Sequence, residues 1–157
     1  MKRSVSIFLA VIIFALPLFS CASRPSAHAA VSAFCEFFGG GGTVYFAEAG
    51  EGEAGYIDGN FFALMFGEEY SFSGDWSVWL ASSLSSLCEA GAFVCDGSYD
   101  AALVSEMLRE RLDLVRRISS VSSPHGTEGI ILVFGNTVVY YIGDDCDGAR
   151  GAWKNIF

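Results

Sequence analysis

The sequence predicts an α+β domain, in which an antiparallel sheet of about four strands is covered on one face by one long amphipathic helix. Two observations carry this prediction. Apolar residues recur at steps of three and four over 98–118, which is the spacing of one buried helix face. The segments 129–134 and 137–142 are dense in β-branched and aromatic residues and flank Gly135-Asn136. Glycine at the first turn position fits a two-residue type II′ hairpin.

Shorter patterns predict the remaining elements. Apolar residues occupy both parities of the hairpin strands, which is typical of strands that are covered on both faces or central in a sheet. Asp58 or Asn60 can cap a short helix that ends at Gly67. The other main predicted strands are 75–80 and 90–95, the segment 43–47 is a weak strand, and the other predicted helices are 61–66 and 147–155.

The amino terminus has the features of an export signal. Lys2 and Arg3 precede an apolar stretch over 7–19. That stretch is shorter than the roughly 20 residues that a membrane-spanning helix needs. We therefore interpret 1–20 as a signal peptide, which takes no part in the fold of the mature protein.

Two cleavage sites fit the residues that follow. The segment 18–21 resembles a lipobox, in which lipid is attached to the thiol of Cys21 and the chain is cut before it, although Phe19 is larger than that pattern prefers. The segment 27–29 is an A-x-A site before Ala30, and its use would release a secreted protein without lipid. We favour the first site. Cys21 is then the predicted lipidation site, and the protein is expected on the extracellular face of the cell membrane.

The predicted domain organisation follows from composition. Residues 21–42 look like a flexible tether, because small and polar residues lead to four consecutive glycines at 39–42. Within it, 34–38 is an apolar island that fits either a short helix docked on the domain or a loose patch near the membrane. The folded domain is then expected over 43–157.

The charge balance excludes one class of partner. Two of the 9 Lys and Arg residues lie in the signal, which leaves 7 against 18 acidic residues and a net charge of −11 in the exported part. Nucleic-acid binding requires basic patches that neutralise phosphates. We therefore expect no nucleic-acid partner, and we interpret the acidity as a device for solubility outside the cell.

The cysteines suggest disulfides. If Cys21 carries lipid, the remaining cysteines form an even set outside the cell, with three possible connectivities. The alternative is that they are buried thiols that stay reduced. The candidate disulfide residues are Cys35, Cys88, Cys95 and Cys146, of which Cys88 and Cys95 are closest in sequence.

The sequence contains no catalytic, metal or cofactor motif. The two histidines, His28 and His125, lie in the tether and in a polar loop, and no C-x-x-C spacing supports zinc. The motifs of α/β-hydrolases and phosphate-binding loops do not occur. Asp144, Asp145 and Asp147 lack the spacing of a Ca²⁺ loop, and we expect them to cap the last helix.

The order of the segments resembles a known family. A helix through Arg-Leu at 111–112, a Ser/Pro loop, VFGNTVVY at 133–140 and an acidic pair at 144–145 are similar to small secreted lipoproteins, found mostly in Gram-positive bacteria. The segment FFALMFGEEY at 61–70 fits the same family, which is known only as a domain of unknown function. The resemblance implies export and an α+β fold, and it provides no catalytic residues.

Taken together, these features favour a non-enzymatic surface protein, lipid-anchored at Cys21, that binds a protein or small-molecule partner or serves in the cell envelope. An alternative is a secreted module that binds a small molecule or a cation through the acidic residues near Asp144. A third is a hydrolase whose site has no recognisable motif.

Overall fold

The computed structural model describes residues 24–38, 41–70, 72, 74–82, 88–96, 101–119 and 127–157. The signal peptide, Cys21, His125 and the predicted start of the long helix lie outside these residues. The helices are α1 (Ala27–Phe38), α2 (Gly59–Phe66), α3 (Ala101–Ser119) and α4 (Cys146–Ile156). The strands are β1 (Gly42–Phe46), β2 (Trp76–Ala81), β3 (Glu89–Val94), β4 (Glu128–Phe134) and β5 (Thr137–Gly143).

The strands form one antiparallel sheet in the order β1-β2-β3-β5-β4, which confirms the predicted α+β class. The sheet has five strands rather than about four, because the weak segment that became β1 pairs with β2 along its whole length. The β4–β5 hairpin has its predicted turn. Gly135 has a φ of 62°, and Asn136, like the other non-glycine residues in the described part of the chain, has no positive φ. That combination is the mark of a type II′ turn.

One face of the sheet is covered by α3 and α2, as the apolar spacing predicted for the long helix. The side chains of α3 that face the sheet are at steps of three and four, so they form one continuous stripe. They meet side chains that alternate along β2, β3 and β5, which is the two-residue period of a strand. This core includes Val104, Leu108, Leu112 and Val115 of α3 with Val78, Phe93, Val138 and Ile142 of the sheet.

The other face is covered by α1 and α4. Ala27, Ala30, Val31 and Phe34 of α1 are fully buried, and Trp153 of α4 stacks on Phe34 with ring centroids 4.3 Å apart. The prediction of a flexible tether over 21–42 is therefore wrong for the helical part, and the domain is longer than 43–157. The physical reason is that these four positions also follow helical spacing. Small alanines let α1 approach the sheet closely, although they add little to the apolar signal in the sequence.

The start of α1 is held by three polar contacts. Ser26 Oγ accepts from the Ala29 amide at 3.2 Å, and Asp75 Oδ2 accepts from the Ala27 amide at 2.9 Å. Arg24 Nη1 donates to Asn136 Oδ1 in the hairpin turn at 2.8 Å. The first two contacts satisfy otherwise free amides of the first helical turn, and the third fixes Arg24 to the hairpin. The folded domain therefore includes the chain from Arg24 onwards.

Candidate functional site

The short helix α2 has a cleft on each side. Asp58 caps its start by accepting from the Phe61 amide at 2.7 Å, and the amide of Gly67 closes its end on the Ala63 carbonyl at 2.8 Å. Both caps were expected from the sequence. The helix buries one face against the core and turns Leu64 outwards, with 75% of that residue exposed. A helix that is fixed at both ends, has two clefts beside it and carries an exposed apolar residue is a suitable surface for binding.

The first cleft, which we call the ion-pair cleft, lies between α2 and α3 and has a volume of about 200 Å³. Both signs of charge and an apolar rim meet here, so the cleft is amphipathic. Its lining includes Leu64, Met65, Glu69, Glu110, Arg111 and Arg117.

An arginine and a glutamate form a bidentate ion pair at this cleft. Arg111 Nε donates to Glu89 Oε1 at 2.9 Å, and Arg111 Nη2 donates to Glu89 Oε2 at 2.6 Å. The Arg111 side chain is 16% exposed and that of Glu89 only 6%. Arg111 Nη1 also donates to the Met65 carbonyl at 3.3 Å. One guanidinium therefore joins α3, α2 and the first residue of β3.

Tyr140 lies beside this pair at the centre of the sheet. Its hydroxyl has no hydrogen-bond partner of good geometry among the described residues. Burial, and then the nearby Glu89 carboxylate, raise the pKa of Tyr140 well above its usual value. Burial lowers the pKa of Arg111, but Glu89 more than offsets this. A general acid or base works best with a pKa near the operating pH. Since both shifts move away from neutrality, this geometry favours a fixed structural pair over proton transfer.

A glycine creates the space for the Tyr140 ring. Gly91 is opposite Tyr140 in the β3–β5 register. A Cβ on Gly91 would come within 2.5 Å of the Tyr140 ring and 2.9 Å of the Ser77 carbonyl oxygen. Any side chain at this position would therefore displace the ring or the neighbouring strand.

The second cleft, which we call the aromatic cleft, has a volume of about 220 Å³. Phe62 and Trp76 meet in its wall, with ring centroids 5.2 Å apart. Partial burial, and then the Glu110 carboxylate, raise the pKa of Tyr70 at its edge. Pockets for drug-sized ligands span roughly 300–1,000 Å³. Each cleft here is smaller, and is suited to one or two side chains. The lining includes Ile57, Asp58, Phe62, Tyr70, Phe72 and Trp76.

None of the four candidate disulfide cysteines is disulfide-bonded, and they lie on two different faces of the sheet. Cys35, Cys88 and Cys146 adjoin the core under α1 and α4, whereas Cys95 belongs to the core under α3. Cys88 and Cys95 flank β3 at opposite ends. A strand of that length separates their Cα atoms by about 20 Å, and a disulfide allows no more than about 7 Å. The pair that is closest in sequence therefore cannot form a disulfide in this fold.

Cys35 and Cys88 are neighbours. Burial raises the pKa of the Cys35 thiol to about 11, and the thiolate form of Cys88 contributes to that rise. Cys88 Sγ donates to the Tyr141 hydroxyl at 3.5 Å. Reactive cysteines have lowered pKa values, so the raised pKa of Cys35 is typical of an inert, half-buried thiol.

The acidic residues after β5 form a helix cap. Asp145 Oδ1 accepts from the Gly148 amide at 2.9 Å, and Asp147 lies in the first turn of α4. This confirms the capping role predicted from the sequence. Over the described ranges, no three Asp, Glu, His or Cys side chains are placed to hold a metal ion. His28 packs against Phe46 in a tilted arrangement, with ring centroids 4.1 Å apart.

Sequence reasoning missed the Glu89–Arg111 pair, although a signal exists. Arg111 follows Leu108 by three residues and precedes Val115 by four, so it interrupts the apolar stripe of α3. Glu89 is the one charged residue of the apolar strand β3. A lone charge in each of two buried faces predicts that the two meet.

Comparison of the chain with family models, curated proteins and solved structures finds no match. The resemblance to small secreted lipoproteins therefore stays a prediction. Within the part of the chain that the structure describes, no helix has both the length and the apolar character needed to cross a bilayer.

Proposed function

We propose that this protein is exported, lipid-anchored at Cys21 and held at the outer face of the cell membrane, where its domain binds another envelope protein without catalysis. The lipobox-like segment before Cys21 motivates the anchor. The lining of the clefts around α2 motivates the binding role.

The observation that carries the anchor proposal is the position at which the fold begins. Cleavage before Ala30 would remove the fully buried Ala27, the Ser26 cap and the contact of Arg24 with Asn136. Cleavage before Cys21 keeps all of them. A processing site within a packed helix would reduce the stability of its own product, so the structure favours the upstream cut.

The size of the clefts supports a protein partner over a free small molecule. Each cleft accommodates one or two side chains, which is how hot-spot pockets at protein interfaces are filled. Leu64 is exposed at the rim of the ion-pair cleft, and Phe61, one turn earlier on α2, is 40% exposed. An apolar contact bordered by Glu69, Glu110 and Arg117 would bind a partner segment that is itself amphipathic.

The binding role is tested by charge insertion at the site. Leu64→Glu, in the lipidated protein on cells, is compared with Phe37→Glu, which replaces a residue of α1 that is 62% exposed on the opposite side of the sheet. Cross-linking on the cell surface should give a defined adduct with the native protein and with Phe37→Glu, and at least tenfold less with Leu64→Glu. Equal adduct with both variants, or no adduct with the native protein, would contradict the proposal.

A further inference from the structure

The lipid anchor and the folded domain are separated by very little chain. This inference rests on the proposed lipidation of Cys21. Only Ala22 and Ser23 lie between Cys21 and Arg24. The Cα atoms of Cys21 and Arg24 are therefore at most about 11 Å apart. Arg24 is itself fixed to Asn136 in the β4–β5 turn. The bilayer surface must therefore lie next to this turn.

The surface around the turn, which we call the hairpin corner, has a composition that suits a membrane interface. It is formed by Arg24, the end of β4 and the end of α4. Val133 is 52% exposed, and Phe157 stacks on Phe134 with ring centroids 5.1 Å apart. Lys154 lies exposed in the last turn of α4, beside Phe157. The corner thus presents two cations and apolar side chains together.

Acidic residues lie at both ends of the sheet, whereas Arg24 and Lys154 lie at the hairpin corner. Glu128 and Gly143 are paired at the other end of the hairpin, where Asp144 and Asp145 follow. The acidic loop that follows β1 begins at the same end of the sheet as the hairpin turn, but at the opposite edge. At the hairpin end, Asp96 follows β3, and Asp75 accepts from the Ala27 amide. Anionic headgroups repel the acidic regions and attract Arg24 and Lys154.

We propose that the hairpin corner rests on the bilayer, with Arg24 and Lys154 at anionic phospholipid headgroups and Val133 and Phe157 at the interface. Glu89 pairs with Ile142 at the far end of the sheet, so this orientation turns the ion-pair cleft away from the membrane. The short connection would then orient the domain, because it presents the ion-pair cleft to the outside.

Hydrogen exchange tests the orientation. The lipoprotein is purified from membranes, and its intact mass shows whether Cys21 carries lipid. A mass without lipid would refute the proposed function before any exchange is measured. The lipidated protein is then compared in vesicles of phosphatidylglycerol and phosphatidylcholine and in neutral detergent micelles. We expect several-fold slower exchange in vesicles for amides of 133–137 and 154–157, and unchanged exchange for 143–147. Lipidated protein with equal exchange at both ends, or with slowing only at the far end, would overturn the orientation alone.

Matched variants test which residues make the contact. Lys154→Glu should abolish most of the vesicle-dependent slowing, whereas Arg150→Glu, one turn earlier on the same helix, should leave it. Both side chains are exposed, so both variants should fold. A long Gly-Ser insertion between Ser23 and Arg24 should also abolish the slowing while the mass still shows lipid. Slowing that survives both Lys154→Glu and the insertion would contradict the proposal.

Discussion

At the scale of single residues, the Glu89–Arg111 pair stands out because it places two charges under a helix-covered face. Removing one partner leaves the other charge buried and unpaired, at a cost of about 3–5 kcal/mol. We therefore expect Arg111→Met to lower the free energy of unfolding by about that amount in denaturant titrations. The double variant Glu89→Leu/Arg111→Met should recover most of the loss, because no charge is then stranded.

The matched control is the surface pair Arg116–Asp113, whose side chains are 47% and 64% exposed and 3.4 Å apart. Exposed pairs contribute little, so Arg116→Met should change the free energy of unfolding by less than ~0.5 kcal/mol. A loss as small for Arg111→Met as for Arg116→Met would show that the Glu89 carboxylate tolerates its site without the guanidinium.

Cys35 gives a pH-dependent prediction at the same scale. Its pKa is raised from 9.0 to about 11, mainly by burial, so the unfolded chain loses this proton first. The free energy of unfolding should therefore be insensitive to this group below pH 9 and should fall as pH rises towards 11. Urea titrations between pH 8 and 10 should show a shallower decline for Cys35→Ala than for the native protein. Parallel declines would contradict the assigned burial.

Some features at the residue scale could be predicted from the sequence, and others could not. The caps at Asp58 and Asp145 and the turn at Gly135 were predictable, because local backbone geometry dictates them. The burial of Glu89 and Arg111 was not, since it depends on which helix covers which strand. The same holds for the cysteines. Their sequence left three connectivities open. In the structure a strand separates Cys88 from Cys95, the pair closest in sequence, and tertiary packing makes Cys35 and Cys88 neighbours.

At the scale of elements, α1 is where the structure differs most from the sequence-based prediction. Four buried positions make it one of the two covers of the second sheet face. Phe34→Ala should lower the free energy of unfolding by about 3–5 kcal/mol, because it leaves a cavity between Trp153 and Tyr141. Phe37→Ala, at an exposed position of the same helix, should cost less than ~0.5 kcal/mol. Thermal or urea unfolding of both variants makes the comparison.

A similar small effect for Phe34→Ala and Phe37→Ala would mean that α1 is only loosely attached, as the tether prediction had it. That prediction failed because alanine contributes little apolar signal and glycines follow the helix. The long helix and the hairpin were predictable, since their patterns are strong and long. Two patterns indicated a cover for the second face: the apolar residues at both parities of the hairpin strands, and the apolar island at 34–38, for which a docked helix was one of two interpretations.

At the scale of the whole molecule, the proposed export signal directly precedes a domain whose described part starts at Arg24. The two features are consistent only if processing leaves the first turn of α1 intact. A long tether would allow the domain to take any orientation, whereas the two residues between the proposed anchor and Arg24 would restrict it. The proposed orientation of the domain, with the ion-pair cleft facing outwards, thus depends on the proposed lipidation of Cys21.

The most direct test is the intact mass of the mature protein isolated from its native membrane. We expect a chain that starts at Cys21 and carries acyl groups. The variant Cys21→Ser should move the protein from the membrane into the medium. A mass that starts at Ala30 without lipid would contradict the central claim. It would also show that the cell discards the residues that fix the start of α1.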